Sequence, residues 1–225
     1  MGVQGADASS EKETGRVEAS SDGVFAIAIT LLILELKVPR ESEGVLLPGS
    51  LLEQWPAYIS FITSFATIGI MWLNHHRLFS LIRRVDTGLL VLNLLLLLGV
   101  TIVPFPTALV AEHLGHPGGR LAAIVYCGNG LNIAACFWGL WRYTSSNARR
   151  PPLLRLPRES GEVRAIDAQY RFGPLFYAGA VVLALLSPAA SMAYCGALAL
   201  FFALPPRRAG PAVGASGSGR TVEGE

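Results

Sequence analysis

The chain has 225 residues, 52% of them hydrophobic and only 15% charged, with a formal net charge of +2 and a mean hydropathy of +0.46. Soluble domains carry about 25% charged residues, so a water-soluble enzyme is not expected, and 18 basic against 16 acidic residues is too even a balance for nucleic-acid binding. The three cysteines, Cys127, Cys136 and Cys195, lie inside apolar runs with no C-x-x-C spacing, which predicts neither a disulfide framework nor a zinc site.

Residues 1–15 are polar, without a basic segment leading into a short apolar core, and read as a disordered cytoplasmic tail rather than a cleaved signal peptide. A bilayer core of about 30 Å takes about 20 apolar residues as helix. The first stretch of that kind is 22–38, with Ser21 or Asp22 placed to cap its N-terminus. The second, 56–74, runs into Trp72-Leu73-Asn74-His75-His76. The third, 87–110, contains five consecutive leucines from Leu94 and a Pro104-Phe105-Pro106 break, tolerable in a membrane helix whose neighbours satisfy the freed backbone. The fourth, 121–141, carries Asn129 and Asn132. Tyr143 to Arg171 is basic, contains three prolines, and reads as a solvated loop facing the membrane surface. Residues 172–204 hold no charge, yet as one helix they would extend about 50 Å, too long for a single crossing. A turn at Ser187-Pro188 divides them into 172–186 and 188–204, and the Pro-, Gly- and Ser-rich residues 205–225 read as a disordered cytoplasmic tail. The fold class is therefore an all-α integral membrane protein with six transmembrane helices per subunit in a domain spanning 16–204.

The basic residues test that topology independently. With six crossings, 15 Lys and Arg lie on the side of the termini and three (Lys37, Arg40 and Arg120) on the other. By the positive-inside rule both termini are cytoplasmic and the protein is a multi-pass protein of the cell membrane, with the lipid bilayer as its surroundings and no nucleic-acid partner. If 172–204 crossed only once, three of the 15 would move outside and weaken the asymmetry.

This topology brings three polar groups to one membrane face: Arg16, Ser21 and Asp22 entering the first span, Trp72, Asn74 and His76 leaving the second, and Asp86 with Asn93 starting the third. Asp86 and Asn93 are seven apart and share a helix face. A hydrogen-bonded network among these residues would fasten the three helices and could also shift during gating. The His75-His76 pair and the His113/His116 pair fall on opposite sides of the bilayer, so they cannot share a metal, and no metal site or cofactor is expected. In the first span, Ile27, Thr30 and Leu34 form one stripe, with Ala26 and Ala28 narrowing its flanks. A single stripe encloses nothing and the chain shows no internal repeat, so a pore requires several subunits around an axis. Periodicity alone leaves ordinary helix packing or lipid contact open for the same stripe.

The run Arg16 to Pro39 resembles the first helix of prokaryotic single-repeat relatives of the endolysosomal potassium channel family, whose signature is R-x-x-x-F-S-D. Trp72 to Phe79, Leu92-Asn93-Leu94-Leu95 and Pro104-Phe105-Pro106-Thr107 are similar to that family's second and third helices. Ser20 stands where the signature has Phe, while Arg16, Ser21 and Asp22 match. The resemblance implies a homotetramer with the first helices lining a pore that has a hydrophobic constriction at Ile27 instead of a carbonyl filter. Thr30, Leu31 and Leu34 would line the pore outward from it, and potassium would be the permeant ion. Competing readings are a proton leak or secondary transporter, against which the lack of mid-span carboxylates and broken helices counts, and a non-conducting membrane interaction protein.

Overall fold

The computed structural model describes residues 2–38, 47–146 and 152–203, and among them the chain is helical. Helix α1 runs over Gly2–Leu31 and closes with a 3₁₀ turn, Leu32–Glu35. A short α2 (Leu47–Glu53) precedes α3 (Trp55–Ser80), α4 (Thr87–Ile102), α5 (Pro104–His113) and α6 (Gly119–Thr144). Three helices complete the order: α7 (Gly161–Arg171), α8 (Gly173–Leu186) and α9 (Pro188–Ala203).

Local chemistry explains the boundaries. Asp86 caps α4, its carboxylate accepting from the Leu89 amide at 2.8 Å. Pro104 and Pro106 lack amide protons, which separates α4 from α5, but Val103 keeps helical angles (φ −50°, ψ −40°) and the two halves continue as one stretch. Ser187 turns extended (φ −149°, ψ 112°) and its hydroxyl accepts from the Ala190 amide at 3.3 Å, so Pro188 opens a new helix where the sequence places the turn.

Among the described residues, five helical stretches are long and apolar enough to cross a membrane: Ser10–Glu35, Trp55–Ser80, Thr87–His113, Gly119–Thr144 and Gly161–Leu186. Pro188–Ala203 is a shorter apolar helix. Helix α6 packs along α8, where Ala122, Ala123, Ala180 and Ala184 let the backbones approach, while α5 and α9 flank that pair around Val110 and Cys195. A second core joins α1, α3, α4, α6 and α7 through Phe25, Ile68, Leu96, Trp141 and Tyr170.

Three expectations are corrected. Residues 2–15 are not a disordered tail but the first turns of α1. Elongating an existing helix costs far less than nucleating one, so the span propagates into its polar leader, and Thr14 is buried there with its hydroxyl donating to the Ser10 carbonyl. Ser21 and Asp22 consequently lie inside α1 rather than at its cap. The stretch 143–171 is not wholly a solvated loop. Behind a Ser160 cap, α7 buries Val163, Ile166 and Tyr170 along one face, and the Trp141 indole donates to Asp167 at 3.0 Å. The tail 205–225 lies outside the described residues.

An antiparallel bridge between Ile82 and Leu154 closes the basic end of the bundle. The Arg83 amide donates to Leu153 and the Arg155 amide to Leu81, both at 2.8 Å. At the opposite end Lys37, just beyond α1, pairs with Glu112 of α5. That hydrogen bond holds the Lys37 ammonium pKa above its ordinary value.

Candidate functional site at the first helix

Helix α1 has two unlike faces. Ser21, Phe25, Ala28 and Leu32 are buried against α3 and α4 at spacings of four, three and four. The opposite row is uncovered: Ile27 is 62% exposed and Leu34 69%, with Thr30 and Leu31 exposed between them. The Thr30 hydroxyl donates to the Ile27 carbonyl at 2.9 Å, which engages its proton and leaves oxygen lone pairs free. Ile29 is half-buried against the core, on a different face from Ile27.

Polar groups clamp the N-terminal half of α1 to its neighbours. Trp72 donates its indole N–H to Asp22 at 2.8 Å. His76 Nδ1 meets the Glu18 carboxylate at 2.7 Å, and the Trp72 and His76 rings stack with centroids 6.3 Å apart. Deeper in the bundle, Asn93 of α4 donates to the Ser21 hydroxyl at 3.0 Å while its carbonyl lies 2.9 Å from His75 Nε2. Because the Asn93 nitrogen serves Ser21, its oxygen accepts, and His75 carries its proton on Nε2. His75 is fully buried between Phe25 and Phe79, with centroids at 5.3 and 4.3 Å, and its Nδ1 has no partner.

Of the residues singled out in the sequence, Ser21, Asp22, Trp72, His76 and Asn93 therefore meet around α1. Three do not join them. Asn74 faces the far side of α3, where its side-chain amide donates to the Phe202 backbone carbonyl at 3.4 Å and its backbone carbonyl accepts from the Tyr170 hydroxyl at 3.1 Å. Asp86 caps its own helix and accepts from the Tyr143 hydroxyl at 3.0 Å. Arg16 is exposed and makes no polar contact among the described residues. Sequence reasoning missed His75 and Glu18 as members; their spacing to Asn93 and His76 along the chain carries no such signal, though a His inside an apolar helix asks for a partner.

The arrangement defines a multi-pass helical membrane protein whose N-terminal span is clamped on one side and bare along the other. The family model of the endosomal/lysosomal potassium channel TMEM175 matches residues 16–104. A potassium channel of Chamaesiphon minutus is 52% identical over 200 residues, covering 88% of this chain and 97% of that protein. A potassium channel of Streptomyces collinus is 44% identical over 192 residues, covering 84% and 91%. The crystal structure of a lysosomal potassium-selective channel TMEM175 homologue from Chamaesiphon minutus superposes with a TM-score of 0.78 at 51% identity, covering 85% of this chain and 97% of that one. The endosomal/lysosomal proton channel TMEM175 of Gallus gallus is 38% identical over 117 residues, which is 48% of this chain and 23% of that protein. The chain belongs to the TMEM175 family of ion channels.

Proposed function

We propose that this chain is the subunit of a potassium-permeable cation channel of the cell membrane. Four copies surround an axis, each crossing six times with both termini cytoplasmic, and the uncovered face of α1 lines the pore. The observation that carries this reading is the bare row Ile27, Thr30, Leu31 and Leu34 on a helix whose other face is fastened by Asp22–Trp72, Glu18–His76 and Ser21–Asn93–His75. Membership in a family with two bacterial potassium channels similar over most of the chain supports the permeant ion. Support for the sixth crossing comes from the turn at Ser187, which sends α9 back along α8, and from the basic residues gathered at the side of the termini. At 16 residues, α9 spans about 24 Å, short of the bilayer core, so slight local thinning accommodates it.

In this arrangement four Ile27 side chains converge at the narrowest point. An apolar ring resists wetting and admits an ion only with part of its water removed, which favours potassium over the more tightly hydrated sodium. Thr30, one turn outward with its proton held by the Ile27 carbonyl, presents oxygen lone pairs to the partly stripped cation. No cofactor enters this mechanism. The clamp keeps the inner half of α1 in register, so that a constriction of single side chains is reproducible among subunits.

Proton conduction is the second reading, favoured by the Gallus gallus relative. Reversal potentials of purified protein in planar bilayers separate the two. A potential that follows the potassium gradient at symmetrical pH is expected. One that follows only the pH gradient selects the second reading, and absence of any current selects a non-conducting membrane protein.

A further inference from the structure

We propose that Cys127 of α6 and Cys195 of α9 are a redox-active dithiol, which a peroxide converts to a disulfide joining the two helices. Their sulfurs are 3.6 Å apart although 68 residues separate them in the chain. Both side chains are buried. Small residues set this approach: Ser191 and Ala199 lie one turn either side of Cys195, Ala123 lies one turn before Cys127, and all three are buried. The backbones therefore come close enough for the sulfurs to be the groups that meet. Disulfide sulfurs are about 2.05 Å apart, so forming the bond closes a gap of about 1.5 Å. Cys136, two and a half turns further along α6, is half-buried in a different apolar cluster, away from both thiols.

A buried thiol reacts only where an oxidant can reach it. Cys195 lines a cavity of about 20 Å³ together with Thr67, Tyr126, Asn129 and Tyr177. A single water needs about 10 to 15 Å³, so hydrogen peroxide is of a size to enter and bulkier oxidants are not. The hydroxyl and amide groups of the wall are of the kind that hydrogen-bond a peroxide. A second cavity, of about 50 Å³, adjoins the first by sharing Thr67, Gly130 and Tyr177, and extends the space toward Asn74 and Tyr170. Cys127 does not line either cavity and touches Cys195 instead. The geometry therefore gives the two thiols different parts: Cys195 meets the oxidant and Cys127 resolves the product.

The reaction runs in two steps. Cys195 Sγ, as thiolate, attacks one oxygen of hydrogen peroxide; the O–O bond breaks, and the departing hydroxide takes up the thiol proton and leaves as water, giving the sulfenic acid of Cys195. Cys127 Sγ then attacks that sulfur; the S–S bond forms, the S–OH bond breaks, and the hydroxide leaves with the Cys127 proton as a second water. Two thiols and one peroxide thus give one disulfide and two waters, the two electrons passing from sulfur to the peroxide oxygens. The bond ties α9, the short helix that packs on α3, α6 and α8, covalently to α6.

The test uses the purified full-length protein and reads thiols, not current, so its outcome is independent of ion selectivity. The protein is treated with hydrogen peroxide, quenched with catalase, unfolded in N-ethylmaleimide and analysed by mass spectrometry with and without prior reduction. Two of the three cysteines are expected to escape alkylation, Cys136 alone taking the label, and digestion should yield a cross-linked peptide pair containing Cys127 and Cys195 that dithiothreitol separates. Alanine replacements, which suit a seam of small residues, separate the two roles. In Cys127→Ala the peroxide product is a sulfenic acid on Cys195, trapped by dimedone on unfolding; in Cys195→Ala, Cys127 stays alkylatable. The proposal is overturned if all three thiols of the treated wild type remain alkylatable, if Cys136 is consumed as readily as the pair, or if the bond joins two subunits. Dimedone on Cys127 in Cys195→Ala, with none on Cys195 in Cys127→Ala, overturns the part given to the cavity.

Discussion

Asn93 of α4 bonds to both α1 and α3, and replacing it with leucine tests the clamp quantitatively. The substitution removes the bonds to Ser21 at 3.0 Å and to His75 at 2.9 Å. Each is worth about 0.6 to 1 kcal/mol in a membrane protein. The Ser21 hydroxyl keeps its bond to the Val17 carbonyl, but the fully buried His75 is left with both ring nitrogens unpaired. That adds about 1 to 3 kcal/mol, so Asn93→Leu is expected to cost about 2 to 5 kcal/mol in all. Adding His75→Phe removes the orphaned N–H and places a third ring between Phe25 and Phe79, recovering most of the loss; His75→Phe alone leaves the Asn93 carbonyl unpaired and costs about 1 to 2 kcal/mol. Thermal unfolding in detergent, followed by tryptophan fluorescence, reads all four variants of the cycle. A double variant as unstable as the sum of the two singles would refute the reasoning, since the pair would then not act as a unit.

Gly88 lies two residues after the Asp86 cap, where an added Cβ would stand 1.8 Å from the Tyr143 hydroxyl oxygen and 2.4 Å from the ring carbon that bears it. Gly88→Ala is expected to displace Tyr143 from Asp86 and lower stability by about 1 to 3 kcal/mol, measured by the same unfolding assay. For topology, Val38 is 87% exposed at one end and Glu159 is exposed at the other. With Cys136 replaced by alanine, Val38→Cys should react with a membrane-impermeant maleimide on intact cells and Glu159→Cys only after permeabilisation; labelling of both from outside contradicts cytoplasmic termini. Native mass spectrometry should show four subunits of 24.0 kDa each, and a dimer would remove the four-fold ring of Ile27.

Helix boundaries were legible where local chemistry sets them: the Ser187-Pro188 turn and the proline break before α5 are visible in the sequence and appear as the ends of α8 and α4. The exposed row of α1 was legible as a period. Partner choice was not. In Trp72-Leu73-Asn74-His75-His76, successive residues on a helix are about 100° apart, so Trp72 and His76 reach α1, His75 reaches α4 and Asn74 turns to α9, directions set by packing alone. The seven-residue spacing of Asp86 and Asn93 misled for a related reason. Asp86 is a cap outside the helix proper, and its carboxylate folds back onto its own backbone. Helix α7 did carry a sequence signal, Ser160 followed by Val163, Ile166 and Tyr170, but the surrounding prolines and arginines mask it in any average of composition.

The central claim, a pore lined by the bare face of α1 and narrowed at Ile27, is tested most directly by comparing Ile27→Asn with Ile29→Asn in reconstituted bilayers under potassium-against-sodium conditions. The account predicts that Ile27→Asn wets the ring, raises the current and moves the reversal potential toward zero. Ile29→Asn, on the half-buried side, should keep the wild-type reversal potential in whatever channels assemble. Wild-type current and selectivity in Ile27→Asn, or loss of selectivity in Ile29→Asn alone, would contradict it and place the pore on another face of the helix.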